Sequence, residues 1–224
     1  MERPLYDLLS RCTTLDRLFT SEIGRYPKIP SVRYLHLRHI NPSIEGPPNS
    51  CIAACSSRLT TLYTTDTIYA KLFAVLDTQT LFDTLEILHL DMGHSRHRYP
   101  LRSLQMFTKL RELRLPTSLV YNGGSPLPSW FQTSDTEYYQ QTILRILPLS
   151  LANLFLVTGV NTQGPMEEDL YRLIKVKHKF HPILKSIRTN AELWDNTLIR
   201  LLENIGITLM GQAKRGVIQQ VLEL

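Results

Sequence analysis

One apolar pattern recurs along the chain at a nearly constant interval, and it leaves few ways to fold. It reads apolar, two residues, apolar, one residue, apolar or Thr. It appears as Leu15-Leu18-Thr20, Val32-Leu35-Leu37, Leu59-Leu62-Thr64, Leu85-Leu88-Leu90, Leu110-Leu113-Leu115, Leu151-Leu154-Leu156 and Leu184-Ile187-Thr189. The starting positions are separated by 17, 27, 26, 25, 41 and 33 residues. Three successive intervals of 25 to 27 residues mark a chain of stacked units. The second and third members of each triplet are two apart, so they share one face of a short strand. The first lies at the bend leading into it. No such unit can bury its own apolar side, so neighbours must stack strand beside parallel strand.

The period falls in the range of the leucine-rich repeat, about 20–29 residues. The expected fold is therefore α/β: one degenerate leucine-rich-repeat solenoid over residues 1–224, with a parallel sheet on the concave side and helices or loops on the convex side. The return segments support this. Asp66 is placed to cap a helix over Thr67–Asp77. Gly164-Pro165 opens a helix with Glu167, Glu168 and Asp169 early and Lys175, Lys177 and Lys179 late, the order that suits a helix dipole. Asn190 is placed to cap a third helix, with Leu193, Trp194, Thr197, Leu198, Leu201, Leu202 and Ile205 inward and Gly206 at its end. Ile207–Met210 supplies a last edge strand, and Gly216–Leu224 a short terminal helix over it. The Asn or Cys that regular repeats carry three residues after the third apolar position is missing, so an irregular solenoid is expected. The 41-residue interval holds an insertion at about 120–139, with Gly123-Gly124, Trp130, Phe131, Tyr138 and Tyr139, suited to docking on the sheet or meeting a partner.

The segments IPSVRYLHLRHI, TLEILHLDMGH, FTKLRELRLPTS, LPLSLANLFLVTG and LLENIGITLM resemble the irregular leucine-rich regions of filamentous-fungal F-box-type proteins. The resemblance covers about Ile29 to Met210. It implies a substrate-recognition part of a ubiquitin ligase. The F-box that defines the family does not precede the first repeat, so an adaptor contact is expected only from a segment upstream.

Other chemistry is thinly represented. The chain has no Gly-x-Gly-x-x-Gly, no phosphate-loop Gly-Lys-Ser/Thr and no Gly-x-Ser-x-Gly, so no enzyme and no cofactor is expected. The pairs His94/His97 and His178/His181 have metal-ligand spacing but no third and fourth ligand nearby, and surface or helix-end histidines explain them more simply. Cys12, Cys51 and Cys55 are too few for a disulfide scaffold. The start lacks a signal-peptide pattern and no unbroken apolar run spans a membrane, so an intracellular protein, cytoplasmic or nuclear, is expected. The net charge is +5, with bases concentrated in 94–114 (Arg96, Arg98, Arg102, Lys109, Arg111, Arg114) and 172–188 (Arg172, Lys175, Lys177, Lys179, Lys185, Arg188). Together on one face they would bind nucleic acid or polyphosphate; separated, they are a solvated surface, which the scarcity of aromatics among them favours.

The most promising surface lies between the triplet members. The residue between the second and third apolar positions points away from the core, giving the column Phe19, His36, Tyr63, His89, Arg114, Phe155 and Arg188, flanked by Arg38 and Asp91. Leu is required at the adjacent positions, whereas nothing in the fold requires aromatics or Arg here. Such side chains suit a protein–protein hot spot. The sites expected to bind a protein partner are therefore His36, Arg38, Tyr63, His89, Asp91, Arg114, Phe155 and Arg188, with Arg38 and Asp91 orienting the partner by charge.

Overall fold

The computed structural model of the chain describes residues 8–9, 11, 14–20, 28–38, 52, 55, 57–65, 79–91, 103–121, 143–158, 163–192 and 196–212. These residues form an α/β fold whose centre is an eight-stranded, all-parallel sheet in strict sequence order. The strands are β1 (Arg17–Thr20), β2 (Tyr34–Arg38), β3 (Thr61–Thr65), β4 (Ile87–Asp91), β5 (Glu112–Pro116), β6 (Asn153–Val157), β7 (Ser186–Glu192) and β8 (Thr208–Gln212). The first seven grow from the seven triplets, and β8 follows Ile207 as the sequence indicates. Between the strands lie the single turns α1 (Gln79–Phe82) and α2 (Ile143–Ile146), a 3-10 turn at Thr117–Leu119, and the longer helices α3 (Gln163–Phe180) and α4 (Asn196–Asn204).

Each triplet does the work its spacing implies. Along β3 and β4 side chains alternate between half-buried and buried. Leu35, Leu62, Leu88, Leu113, Leu154 and Ile187 are registered neighbours across the sheet and are shut off from solvent on one face. Leu37, Thr64, Leu90, Leu115, Leu156 and Thr189 make a second buried row beside them. Met166, Leu170 and Leu173 of α3 and Leu198 and Leu202 of α4 join the same core, so the helices cover this face.

The bend before each strand repeats a single device. The carbonyl of Asp16 accepts hydrogen bonds from the amides of both Arg33 and Tyr34. The carbonyls of Arg33, Thr60, Glu86, Arg111 and Ala152 each do the same for the first two amides of the next unit, and that of Lys185 accepts from Thr208. Every one of these acceptors directly follows the first apolar residue of its triplet. The device satisfies strand-entry amides that a buried bend would otherwise orphan, and it locks successive units at one relative offset.

Local signals fare unevenly. Gly206 ends α4 at φ 75°, a left-handed conformation that disfavours a side chain, while the buried Lys177 donates from Nζ to the Ile205 carbonyl at 2.8 Å. Asn190 is not a helix cap. It lies inside β7, where its side-chain oxygen accepts from the Thr158 amide at 2.6 Å and the Thr158 hydroxyl at 2.8 Å, and α4 begins at Asn196 instead. Thr197 and Leu201, both expected inward, are exposed, Leu201 by 36%. The helices expected at 67–77 and 216–224, Leu193, Trp194, the His94/His97 pair and most of the 120–139 insertion lie outside the described residues. No helix among the described residues is long and apolar enough to cross a membrane.

Candidate functional site

The face opposite the core is where the fold leaves chemistry available. Strand register strings Phe19, His36, Tyr63, His89, Arg114, Phe155, Arg188 and Met210 into one row, one residue per strand, each paired with the next. Parallel strands lie about 4.8 Å apart, so residues far apart in sequence make one continuous strip. A second row on the same face, two residues earlier in each strand, runs Arg17, Tyr34, Thr61, Ile87, Glu112, Asn153, Ser186 and Thr208.

The amino-terminal half of this face is an aromatic cluster. Phe19 stands 5.3 Å from Tyr34 and 5.7 Å from His36, ring centre to ring centre. Tyr34 is 5.2 Å from Tyr63, and His36 is 6.0 Å from Tyr63. Tyr63 meets His89 edge-on at 4.4 Å. The offset and tilted arrangements are the ones ring quadrupoles favour. The Arg17 guanidinium carbon sits 5.6 Å from the Tyr34 ring centre. Phe19 remains 61% exposed, so the cluster ends in a large apolar surface facing water.

The centre of the face is polar and internally paired. His89 Nε2 lies 2.7 Å from Glu112 Oε1. Burial holds the His89 pKa below its ordinary value, and the opposing pull of Glu112 does not overcome it. The contact is therefore a hydrogen bond from a neutral imidazole to a carboxylate. Since a carboxylate only accepts, the proton sits on Nε2, leaving Nδ1 an acceptor. Burial, reinforced by Tyr34 and Glu112, raises the Tyr63 phenol above its usual pKa, so it stays protonated. Arg114 is held on two sides: Nη2 is 3.4 Å from Asp91 Oδ2, and Cζ is 4.6 Å from the Phe155 ring centre. Beyond it Arg188 is exposed, its side chain with no hydrogen bond or ion pair among the described residues.

Seven of the eight sites expected from sequence have described side chains, and all seven lie on this face. The backbone of Arg38 pairs with Thr65, while its side chain lies outside the described residues. Asp91 engages Arg114 within the face, so its charge is already partly met. Tyr34 and Glu112 escaped the sequence reading, which followed this column and the positions two residues after it but not those two residues before it. The signal was present, since both stand two positions before a column member and strand alternation puts them on the same side.

The basic clusters are less coherent. In the second, Arg172 pairs with Glu168 and Asp169, Lys177 is buried on Ile205, and Arg188 belongs to the open face. In the first, Arg114 is tied to Asp91. Among the described residues no three His, Cys, Asp or Glu side chains gather as metal ligands, and His178 and His181 part company, the first exposed and the second buried. Cys55 is a buried free thiol filling the core. No family model, curated protein or solved structure matches this chain.

Proposed function

We propose that the chain is a leucine-rich-repeat solenoid and that the open, concave face of its sheet recognises another protein. The observation that carries this reading is the unbroken row from Phe19 to Arg188, which places aromatic rings and guanidinium groups on the one sheet face that the core does not use. Aromatic and Arg side chains supply large contact area at low entropic cost. The rings already pack against one another, so little order remains to be imposed on binding. On the resemblance to F-box-type proteins, the partner is a substrate presented for ubiquitin transfer, and the adaptor contact belongs to a segment other than this sheet.

Nucleic-acid binding is the weaker reading. Asp91 and Glu112 stand at the centre of the open face, where they would repel phosphates. Affinity capture from extract with the wild-type chain and with Tyr63→Ala/Arg114→Ala tests the proposal. Proteins retained by the wild type and lost from a folded double mutant, with little salt dependence, are expected. Equal recovery by both, or recovery that collapses with added salt and nuclease, contradicts it.

A further inference from the structure

The helical side of the molecule holds a cavity unrelated to the open face. It has a volume of about 250 Å³ and is walled by Leu144, Leu147, Leu149, Val176, Phe180 and His181, with Arg145 and Gln105 also in its lining. Two of its apolar side chains are not covered by protein: Leu149 is 62% exposed and Phe180 45%.

Two polar features make this more than a packing gap. The first is His181, only 2% exposed, with no hydrogen-bond partner at either ring nitrogen. The Leu144 carbonyl favours its charged form, but its approach falls short of a hydrogen bond, and burial keeps the ring below its ordinary pKa and neutral. The repeat itself does not call for an imidazole here. His181 occupies the turn three residues before Leu184, and the same place before Val32, Leu85, Leu110 and Leu151 holds Ile29, Phe82, Phe107 and Pro148. In three of those turns, as at His181, the carbonyl accepts from the first residue of the triplet, so the backbone role needs no polar side chain. A buried polar group left unpaired forfeits its hydration without compensation, a cost that an apolar residue at this position would avoid. The second feature is Arg145, exposed, with no ion pair or side-chain hydrogen bond among the described residues.

We propose that this cavity binds a small organic carboxylate with an apolar chain or ring, the tail seated among Leu144, Leu147, Leu149, Val176 and Phe180 and the carboxylate on Arg145. The volume sets the size: an apolar cavity of about 150 Å³ accepts the six heavy atoms of benzene, so one of about 250 Å³ suits a ligand of about eight to ten. The apolar walls select the tail, and the unpaired cation selects an anionic head over a neutral one. A ligand oxygen that reaches His181 after a small shift of the ring supplies the hydrogen bond the fold leaves unmade.

Sodium octanoate, octan-1-ol and sodium acetate are suitable probes, titrated calorimetrically into the full chain. Octanoate is expected to bind one site with a Kd of about 0.1–1 mM, an ordinary efficiency for ten heavy atoms. Octan-1-ol should bind more weakly and acetate not at all. Arg145→Gln should weaken octanoate about 5–10-fold, as loss of a solvent-exposed charge-assisted contact does, and leave octan-1-ol unchanged. Leu149→Asp, at an exposed position, should remove both without altering the thermal midpoint of the free protein. Absence of saturable octanoate binding up to about 10 mM overturns the proposal, as does octanoate affinity unchanged in both variants. Neither result bears on the open face, which shares no residue with this cavity.

Discussion

At the scale of single residues, the buried rows show which departures from Leu the fold tolerates and at what cost. Leu88 is wholly buried in the middle of the sheet, so Leu88→Ala should cost about 2–5 kcal/mol through lost contacts and a cavity. Thr64 stands where neighbouring strands carry Leu37 and Leu90, and its hydroxyl is buried without a hydrogen-bond partner. Thr64→Val keeps the shape and removes the orphan, and should raise stability by about 1–2 kcal/mol. Opposite shifts of the urea midpoint check the pair; destabilisation by Thr64→Val would show that the hydroxyl is in use. The half-buried His89 and the buried His181 set a pH dependence. Burial depresses the folded-state pKa of both His89 and His181 below 6.5. The unfolded chain therefore takes up protons first as pH falls. The stability these groups contribute is fully present above 6.5 and is lost as pH drops through the folded-state values. Urea midpoints should fall between pH 7.5 and 5.5, and His181→Phe should flatten part of that slope. A midpoint that rises on acidification would contradict the assignment.

At the scale of elements, the sequence was most informative where a local pattern and the long-range packing agreed. The Leu spacings placed all seven triplet strands, and Gly206 marked the end of α4, because in each case one residue's own preference matches its buried or left-handed role. Asn190 misled because its preference for a cap was outweighed by a bond across the sheet to Thr158, a residue far away in sequence. Asp169 was equally hidden. As one of three early acids of α3 it looked like dipole complement, yet it is buried, and its Oδ2 accepts from the Tyr121 hydroxyl and the Ile143 amide, each at 2.7 Å. Those two donors flank the inserted segment, so Asp169 fastens both of its ends to one helix. Burial raises the pKa of Asp169, and burial with the neighbouring carboxylate pushes Tyr121 well up. Asp169→Ala should cost about 2–4 kcal/mol, since two donors lose their acceptor, and should speed proteolytic cleavage between Tyr121 and Ile143. Unchanged cleavage would show that other contacts hold the segment. The sheet's first edge should be its weakest part. Leu15 and Leu18 are only partly buried, whereas Leu85, Leu88 and Leu90 are sealed. Amides of Leu15–Phe19 should exchange well before those of Leu85–Leu90; equal protection would refute this.

At the scale of the whole molecule, one sheet divides two kinds of surface. Its core face is fixed by the repeat, and that division was legible because strand alternation turns each Leu pair into a statement about the opposite side. The column from Phe19 to Arg188 could therefore be written down from spacing alone. Its internal pairing could not, since the contacts of His89 with Glu112 and of Arg114 with Phe155 depend on register between strands 23 and more residues apart. The strip runs from an aromatic end through paired charges to the exposed Arg188, distinct chemistry for the proposed protein partner to read. The helical face carries the small apolar cavity around Val176 and His181. Site-specific photo-crosslinking tests this division most directly. A benzophenone side chain is placed in turn at Phe19, Tyr63 and Phe155 on the open face, and at Tyr171 on α3 as the opposing control, and each full-length chain is irradiated in extract. The account predicts the same discrete protein adduct from the three open-face positions and none from Tyr171; an adduct from Tyr171 with none from the open face would contradict it.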